Sequence, residues 1–523
     1  MTNQYFPKEK AYKRKNSDDK SLTSTRYGSI GSIDEYPAKI RDWDENFEWT
    51  EEEERQLVAK IDKRLMSFVL LMTFVLNMDR TNLSNAVSDN LAIDLGFTND
   101  GVNTSIMIYS IVFALFALPS NAAVKHIGAH IWIPLLMNSW AIVTWAHALL
   151  HDFNGFIVIR IFIAITEAGF IPACLCYLTE WYKSNELSTR LAWFWGVQAF
   201  ASAFSGLLSF GVLQMAGLGG LQGWKWLFLV DGIATHIVGI IAFMYLPASP
   251  ERTSGWIRSR EGWFNEREER IAMRRIVRDG LTKQEQEKPI SKQDVILALK
   301  DTKLWIHLSI AFLGMMPSIP IHNYLPTIVK EAGFSATVAN LLTAPAYLIN
   351  LLFSILIARG AEKNGNVSLY SLAGSVWGLL GFLTLFYLPA STGRWSIYAA
   401  TLFTASAPSW HGMHVAWMSS NLAPAGKRAI ALGAIVGAAN INGVPGAQIY
   451  QSNDAPRYRR GNGICIGLHL VAISLFLALR SRYTSANSLR GQKWELMTTE
   501  EKDVYNETSR DVGSDRLDFQ FKL

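Results

Sequence analysis

Four ionisable residues sit where the sequence is otherwise hydrocarbon. Asp79 and Arg80 fall in VLLMTFVLNMDRTNLSNAV, and Arg160 and Glu167 fall in IVIRIFIAITEAGF. A charge at the centre of a membrane helix costs about 2.5–3.5 kcal/mol even on a lenient insertion scale, so such groups face a cavity or one another and mark a pathway. A structural ion pair is the plainer alternative, but two acids and two arginines are an expensive way to hold two helices together. Asp79 and Arg80 are adjacent, so they point about 100° apart and each needs a partner elsewhere. Arg160 and Glu167, seven residues apart, share one helix face at roughly 10 Å separation. If the first helix runs outward and the other runs back, equal depth pairs Asp79 with Arg160. Arg80 and Glu167 then meet only if the helices tilt. An entering anion would compete for an arginine, and the acid that loses it would be driven to bind a proton. That is a physical route to anion–proton symport. Glu167, near the membrane centre, is the expected principal coupling acid.

The elements that must position these charges are apolar stretches of near-spanning length. The chain has 523 residues, half of them hydrophobic, and only 18% charged where a soluble chain carries nearer a quarter. Mean hydropathy is +0.13. Apolar stretches fall near 65–88, 102–124, 131–150, 155–180, 191–215 and 225–246, then 303–326, 338–358, 367–388, 397–418, 428–450 and 462–480. We call these spans 1 to 12. Their lengths suit helices and exceed barrel strands. The run leading to Asp79 holds only about 14 apolar residues, or roughly 21 Å of helix, against about 20 residues for a bilayer core. The expected fold is an all-α membrane protein with twelve transmembrane helices in two six-helix bundles. Residues 61–246 form the first bundle and 303–482 the second. Between them lies a cytoplasmic central loop, 247–302, in which WFNEREERIAMRRIVRDG reads as an amphipathic helix stopped at Gly280. Two blocks of six suggest a duplicated transporter architecture.

Residues 1–60 contain no apolar leader and read as a largely disordered cytoplasmic tail, with an amphipathic helix opened by Thr50 near its end. Residues 483–523 form a second cytoplasmic tail. Basic residues such as Lys60, Lys63, Arg64, Arg190, Lys427 and Arg480 flank inner ends, while the first outer loop has Asp89, Asp94 and Asp100 and no Lys or Arg. The cluster Arg457, Arg459 and Arg460 falls outside, against this rule. Asn103 opens an Asn-Thr-Ser sequon too close to span 2 for glycosylation. The net charge of +5 requires no nucleic acid. Cys174, Cys176 and Cys465 lie in apolar segments and read as packing residues, with no disulfide or zinc spacing.

The motifs around the charges resemble one family. LNMDRTNLSNA is similar to the first helix of the fungal allantoate permease family, in the anion:cation symporter branch of the major facilitator superfamily. ALPSNAAVKHIGAHIWIP resembles its second-helix end and inner loop, IRIFIAITEAGFIPACLCYLTEWY its fourth helix, and GWKWLFLVDGIAT its sixth. DAPRYRRGN and RLDFQF resemble its last outer loop and tail. The resemblance spans about residues 45 to 520. It implies the major facilitator fold, alternating access and proton-driven uptake of small organic acids such as ureides and vitamin acids. It also implies that Asp79 and Glu167 titrate and that Arg80 and Arg160 serve the anion. Two departures bear on a salt-bridge lock at the inner gate. Ala117 stands where members often carry Glu, and the loop after span 2 is reduced to Lys125, His126 and His130. Asp231 replaces the usual Glu of the sixth-helix motif.

Further cavity candidates are Tyr109 and Gln198 in the first half, and His322, Asn323 and Tyr324 in the proline-broken MMPSIPIHNYLPTI. A kinked helix end near the outer surface is the alternative for that stretch. Asn440 and His414 complete the set. His411 and His414 are three apart, but with no acid or cysteine nearby a metal pair is not expected, and the reading is instead that one of the two lines the cavity. No Walker loop, nucleophile elbow or zinc helix is present, so no enzyme and no bound cofactor is expected, with the proton as coupling ion. The expected partners are a small organic anion, protons and the lipid bilayer, and the expected state is a monomer. The expected location is the plasma membrane, multi-pass, with both termini inside. Alternatives are a nutrient sensor that keeps the transporter fold, or an uncoupled uniporter or exchanger.

Overall fold

The computed structural model describes residues 47–286, 291–509 and 513–523. The expected disorder of the N-terminal tail therefore falls, for residues 1–46, outside the described residues. Residues up to Glu51 form one unit and Glu52–Leu523 another.

Among the described residues all regular structure is helical, apart from an isolated bridge between Gly255 and Ser259. Nine helices among the described residues are long and apolar enough to cross a membrane. The remaining three segments are Ser67–Ser88, Ala129–Trp145, and the pair Arg394–Ala405 and His411–Asn421. These are spans 1, 3 and 10, which are respectively charged, short and broken. The helix expected after Thr50 is present: it opens at Glu51 and runs through a π turn, Asp62–Met66, into span 1.

Helix breaks fall where the sequence interrupts the backbone ladder. Span 4 opens at Asp152, whose carboxylate accepts from the Gly155 N–H at 2.8 Å, as an N-cap should. Its first helix, Phe153–Glu167, ends directly after Glu167, and helix resumes over Phe170–Thr179. Gly169 lies between, against span 2, where a Cβ would collide with the Ser120 hydroxyl. Span 7 divides into Thr302–Met315, Ser318–Asn323 and Leu325–Glu331, at its prolines. Span 10, expected as one helix over 397–418, is interrupted at Ser406–Trp410, where Pro408 removes a backbone donor. Span 12 runs over Arg459–Leu496, well past its expected end, because no breaker follows its apolar part. The central-loop helix, Glu266–Gln286, passes through Gly280 and does not stop there.

We call the end of the bundle that carries residues 247–286, 291–301 and 513–523 the tail side, and the opposite end the far side. On the tail side the loop helix is fixed to the first half. The fully buried Arg275 donates to Glu186 at 2.8 Å and to the Trp181 carbonyl at 2.7 Å, and Lys60 meets Glu268 at 2.8 Å. On the far side the two halves seal against each other. Asn103, fully buried, donates to the Tyr450 carbonyl at 2.5 Å and accepts from the Tyr324 hydroxyl at 2.6 Å. Asp100 accepts from the Ser452 N–H at 2.8 Å. Lys330 donates to the Ser88 carbonyl and to Asn90, each at 2.7 Å, so a cation caps the C-terminus of span 1. One apolar cluster beneath these contacts joins Leu83, Ala86 and Val87 to Tyr324, Tyr450 and Tyr458. The outlying basic cluster also gains a reason. Arg457 donates to the carbonyls of Leu388, Pro389 and Ala390, at 3.1, 2.8 and 2.7 Å, and so satisfies the end of span 9.

Candidate functional site: a polar cavity between the halves

Below the seal lies a cavity of about 590 Å³ lined by both halves. Its charged groups, Asp79, Arg80, Arg160 and Glu167, all come from the first half, along with Tyr109 and Gln198. The second half contributes neutral and imidazole groups, including His322, Asn323 and Asn440.

The pairing of the charges differs from the level-depth expectation. Arg80 Nε meets Glu167 Oε2 at 2.9 Å, and the Tyr109 hydroxyl donates to the same oxygen at 2.7 Å. Asp79 turns instead toward span 3 and accepts from the Thr144 hydroxyl at 2.7 Å. The expected Asp79–Arg160 pair does not form. Depth was the wrong criterion, because direction around the helix decides. Arg80 points about 100° away from Asp79, toward span 4, and the end of the helix at Glu167 brings that carboxylate within the arginine's reach.

Arg160 is left without an acid. Its guanidinium carbon lies 4.8 Å from the centre of the Tyr109 ring, and its Nε is buried with no hydrogen-bond partner. Glu167 is 1% exposed and Asp79 5%. The site thus holds one closed cation–acid pair, one acid held by a hydroxyl and one arginine with no carboxylate partner. Arginine suits that task, since its planar fork matches a carboxylate.

Two expected cavity residues lie elsewhere. Tyr324 is buried in the far-side seal, bonded to Asn103 and to the Asn99 carbonyl, because Pro326 and the break at Asn323 turn it away from the cavity. His414 is fully buried, with Nε2 2.9 Å from His307 Nδ1. Its neighbour His411 lines the cavity in its place, because the half-helix starts there. Sequence reasoning did not pick out His469, Asn350 or Asn442 for the cavity, and it left open which of His411 and His414 faces it. Pro408, three residues before His411, is the signal that could have decided between the two histidines.

A membrane bundle of two halves enclosing a polar, charged cavity, with a sealed face at one end, defines a membrane transporter. Residues 69–447 match the model of the Major Facilitator Superfamily, and the chain belongs to that family. It is 31% identical over 432 residues to the major facilitator-type transporter hxnP of Emericella nidulans, covering 79% of this chain and 84% of that one. It is 29% identical over 488 residues to an uncharacterized transporter of Saccharomyces cerevisiae, covering 92% and 89%. Among solved structures it is similar to a D-xylose-proton symporter, with a TM-score of 0.60 at 14% identity over 78% of this chain and 96% of that one. A bacterial homologue of the lysosomal transporter Spinster, inward-facing and unoccupied, gives 0.59 at 14% over 79% and 97%. The protein is an integral, multi-pass membrane transporter, and its family and relatives are transporters, not enzymes.

Proposed function

We propose that this transporter is a proton-coupled symporter of a small organic anion, a carboxylate such as a ureide or vitamin acid, of the allantoate permease kind. The observation that carries the proposal is the unpaired Arg160 guanidinium beside a closed Arg80–Glu167 pair in one cavity. The tail side is taken as cytoplasmic, since Lys60, Lys63, Arg64, Arg190 and Lys427 gather there, and the membrane as the plasma membrane.

A carboxylate docks first on Arg160, the free cation. Drawing Arg80 toward the second oxygen strips Glu167 of its ion pair. A buried carboxylate without its cation is costly, so Glu167 takes up a proton and keeps only the Tyr109 hydrogen bond. Asp79, held by Thr144, serves as the second acid. The site then carries anion and proton together, and the coupling is reciprocal: lower pH tightens anion binding as the anion tightens proton binding. The far-side seal, with its hydrogen bonds between the halves, suits the state that has delivered its cargo.

Glu167→Gln imitates the protonated acid permanently. In proteoliposomes, tested over a panel of radiolabelled carboxylates between about pH 5 and 8, a range that brackets a buried acid, the variant should retain counterflow. It should lose uphill uptake and most of the pH dependence of exchange. Uphill uptake driven by an imposed proton gradient in Glu167→Gln would pass the coupling role to Asp79.

A further inference from the structure

Residues 513–523, Gly-Ser-Asp-Arg-Leu-Asp-Phe-Gln-Phe-Lys-Leu, lie folded onto the tail side of the second half. Two asparagines on different spans read consecutive peptide units. Asn487, on span 12, donates to the Phe521 carbonyl and accepts from the Phe521 N–H, both at 2.8 Å. Asn421, at the end of span 10, donates to the Lys522 carbonyl at 2.9 Å and accepts from its N–H at 2.7 Å. In extended chain the two polar groups of one residue face one side and those of the next face the other. The segment is therefore bonded between the two spans as a strand is between neighbours. Trp417 adds a bond to the Lys522 carbonyl at 2.8 Å.

The Phe521 ring is the anchor. It is 5% exposed and stacks on Tyr483 at 4.4 Å and 8°, with Arg490 at 5.0 Å from its centre. Upstream, Asp515 meets Lys303, at the start of span 7, at 3.0 Å. Burial acts to raise the Asp515 carboxyl, but the hydrogen bond and charge of Lys303, with Lys427 and Arg490 behind it, hold it below the usual range. That contact therefore persists at neutral pH.

The strap acts on an element that has a hinge. The half-helix His411–Asn421 joins the rest of span 10 only through the non-helical Ser406–Trp410. It is about 16 Å long. Trp410 and His411 at its head line the cavity, and Trp417 and Asn421 at its foot hold the strap. Its middle is tied as well: Phe521 stacks on Tyr483, whose hydroxyl lies 3.1 Å from His307, which lies 2.9 Å from His414. We propose that the groove between spans 10 and 12 is an intramolecular peptide site whose ligand is segment 513–523. Its occupancy locks the half-helix, and so sets how Trp410 and His411 sit in the transport cavity. With the strap seated the second half moves as one body. With it released, the half-helix swings on Ser406–Trp410.

The test needs no substrate and stands apart from the anion proposal. The full chain and a deletion of 513–523 are compared in lipid nanodiscs by hydrogen–deuterium exchange. Deletion should speed exchange of the 411–421 amides at least tenfold and leave Phe153–Glu167 unchanged. A synthetic peptide of residues 513–523, added in excess, should restore slow exchange, and the same peptide with Phe521→Ala should not. Unchanged exchange at 411–421 overturns the lock. So does faster exchange throughout both halves, which makes the strap a general brace, or equal rescue by the two peptides. If the deletion does not fold, the full chain carrying Phe521→Ala and Asn487→Ala is judged on the same exchange at 411–421 and Phe153–Glu167.

Discussion

Arg80 shares Glu167 with Tyr109, whereas Arg160 has only the face of the Tyr109 ring, so neutralising the two arginines should have different consequences. Arg80→Gln strands a carboxylate that is 1% exposed. Breaking a buried pair costs about 3–5 kcal/mol, and the lower end applies here because the Arg80 side chain is 31% exposed. Its melting temperature should fall, and the double variant Arg80→Gln, Glu167→Gln should regain most of the loss. Arg160→Gln strands no acid, so it should melt near the parent while losing anion uptake. Thermal unfolding in detergent, paired with uptake, separates the two arginines. A double variant less stable than Arg80→Gln alone would refute the pair. The four charges were legible in the sequence because no other charged residue falls in the interior of those two spans. Their pairing was not, since it depends on which way each side chain faces where span 4 breaks after Glu167. Ala168 and Gly169 hinted at that break without giving its direction.

At the scale of elements, the far-side seal is a set of helix ends capped by the opposite half. Lys330 serves the end of span 1, while Tyr324, Tyr450 and Ser452 serve the start of span 2. Asn103→Ala with Tyr324→Phe removes three hydrogen bonds between the halves, to the Tyr450 carbonyl, between the two side chains and to the Asn99 carbonyl, each worth about 1 kcal/mol, which favours far-side opening by about a hundredfold. A cysteine at the cavity residue Ser318, in a background with Cys174, Cys176 and Cys465 replaced, reads this out with an impermeant maleimide added from the far side. Equal labelling with and without the two substitutions would show that the seal rests on the apolar cluster alone. The twelve apolar stretches gave the number and order of spans directly, because length and hydropathy are local properties. The breaks were harder. Span 7 announced itself through Pro317, Pro320 and Pro326, but one proline in SAPSW was passed over in span 10. Span 12 outran its apolar part because a polar helix leaving a membrane needs no hydropathy signal. The seal itself joins residues far apart in sequence, such as Asn103 and Tyr450, which no local pattern connects.

At the scale of the molecule, the balance of basic residues predicts which face meets the cytoplasm. An N-glycosylation acceptor loop inserted at 217–220, between spans 5 and 6, should be modified, and the same loop inserted after Ser254, in the central loop, should not. Modification at 254 would invert the topology. Arg457 no longer weighs against this assignment, since it is engaged by the end of span 9. The Arg80–Glu167 pair has a consequence in time as well as in space. Span 1 leaves the ribosome carrying an intramembrane acid and an arginine on a short apolar run, and it enters the bilayer poorly by itself. The carboxylate that neutralises Arg80 follows 87 residues later. At about 5–20 residues per second, that is a wait of roughly 4 to 17 seconds. Throughout it, span 1 lacks the partner that would let it settle. The nascent chain must therefore keep span 1 beside the translocon, or within reach of an insertion chaperone, until span 4 arrives to admit it.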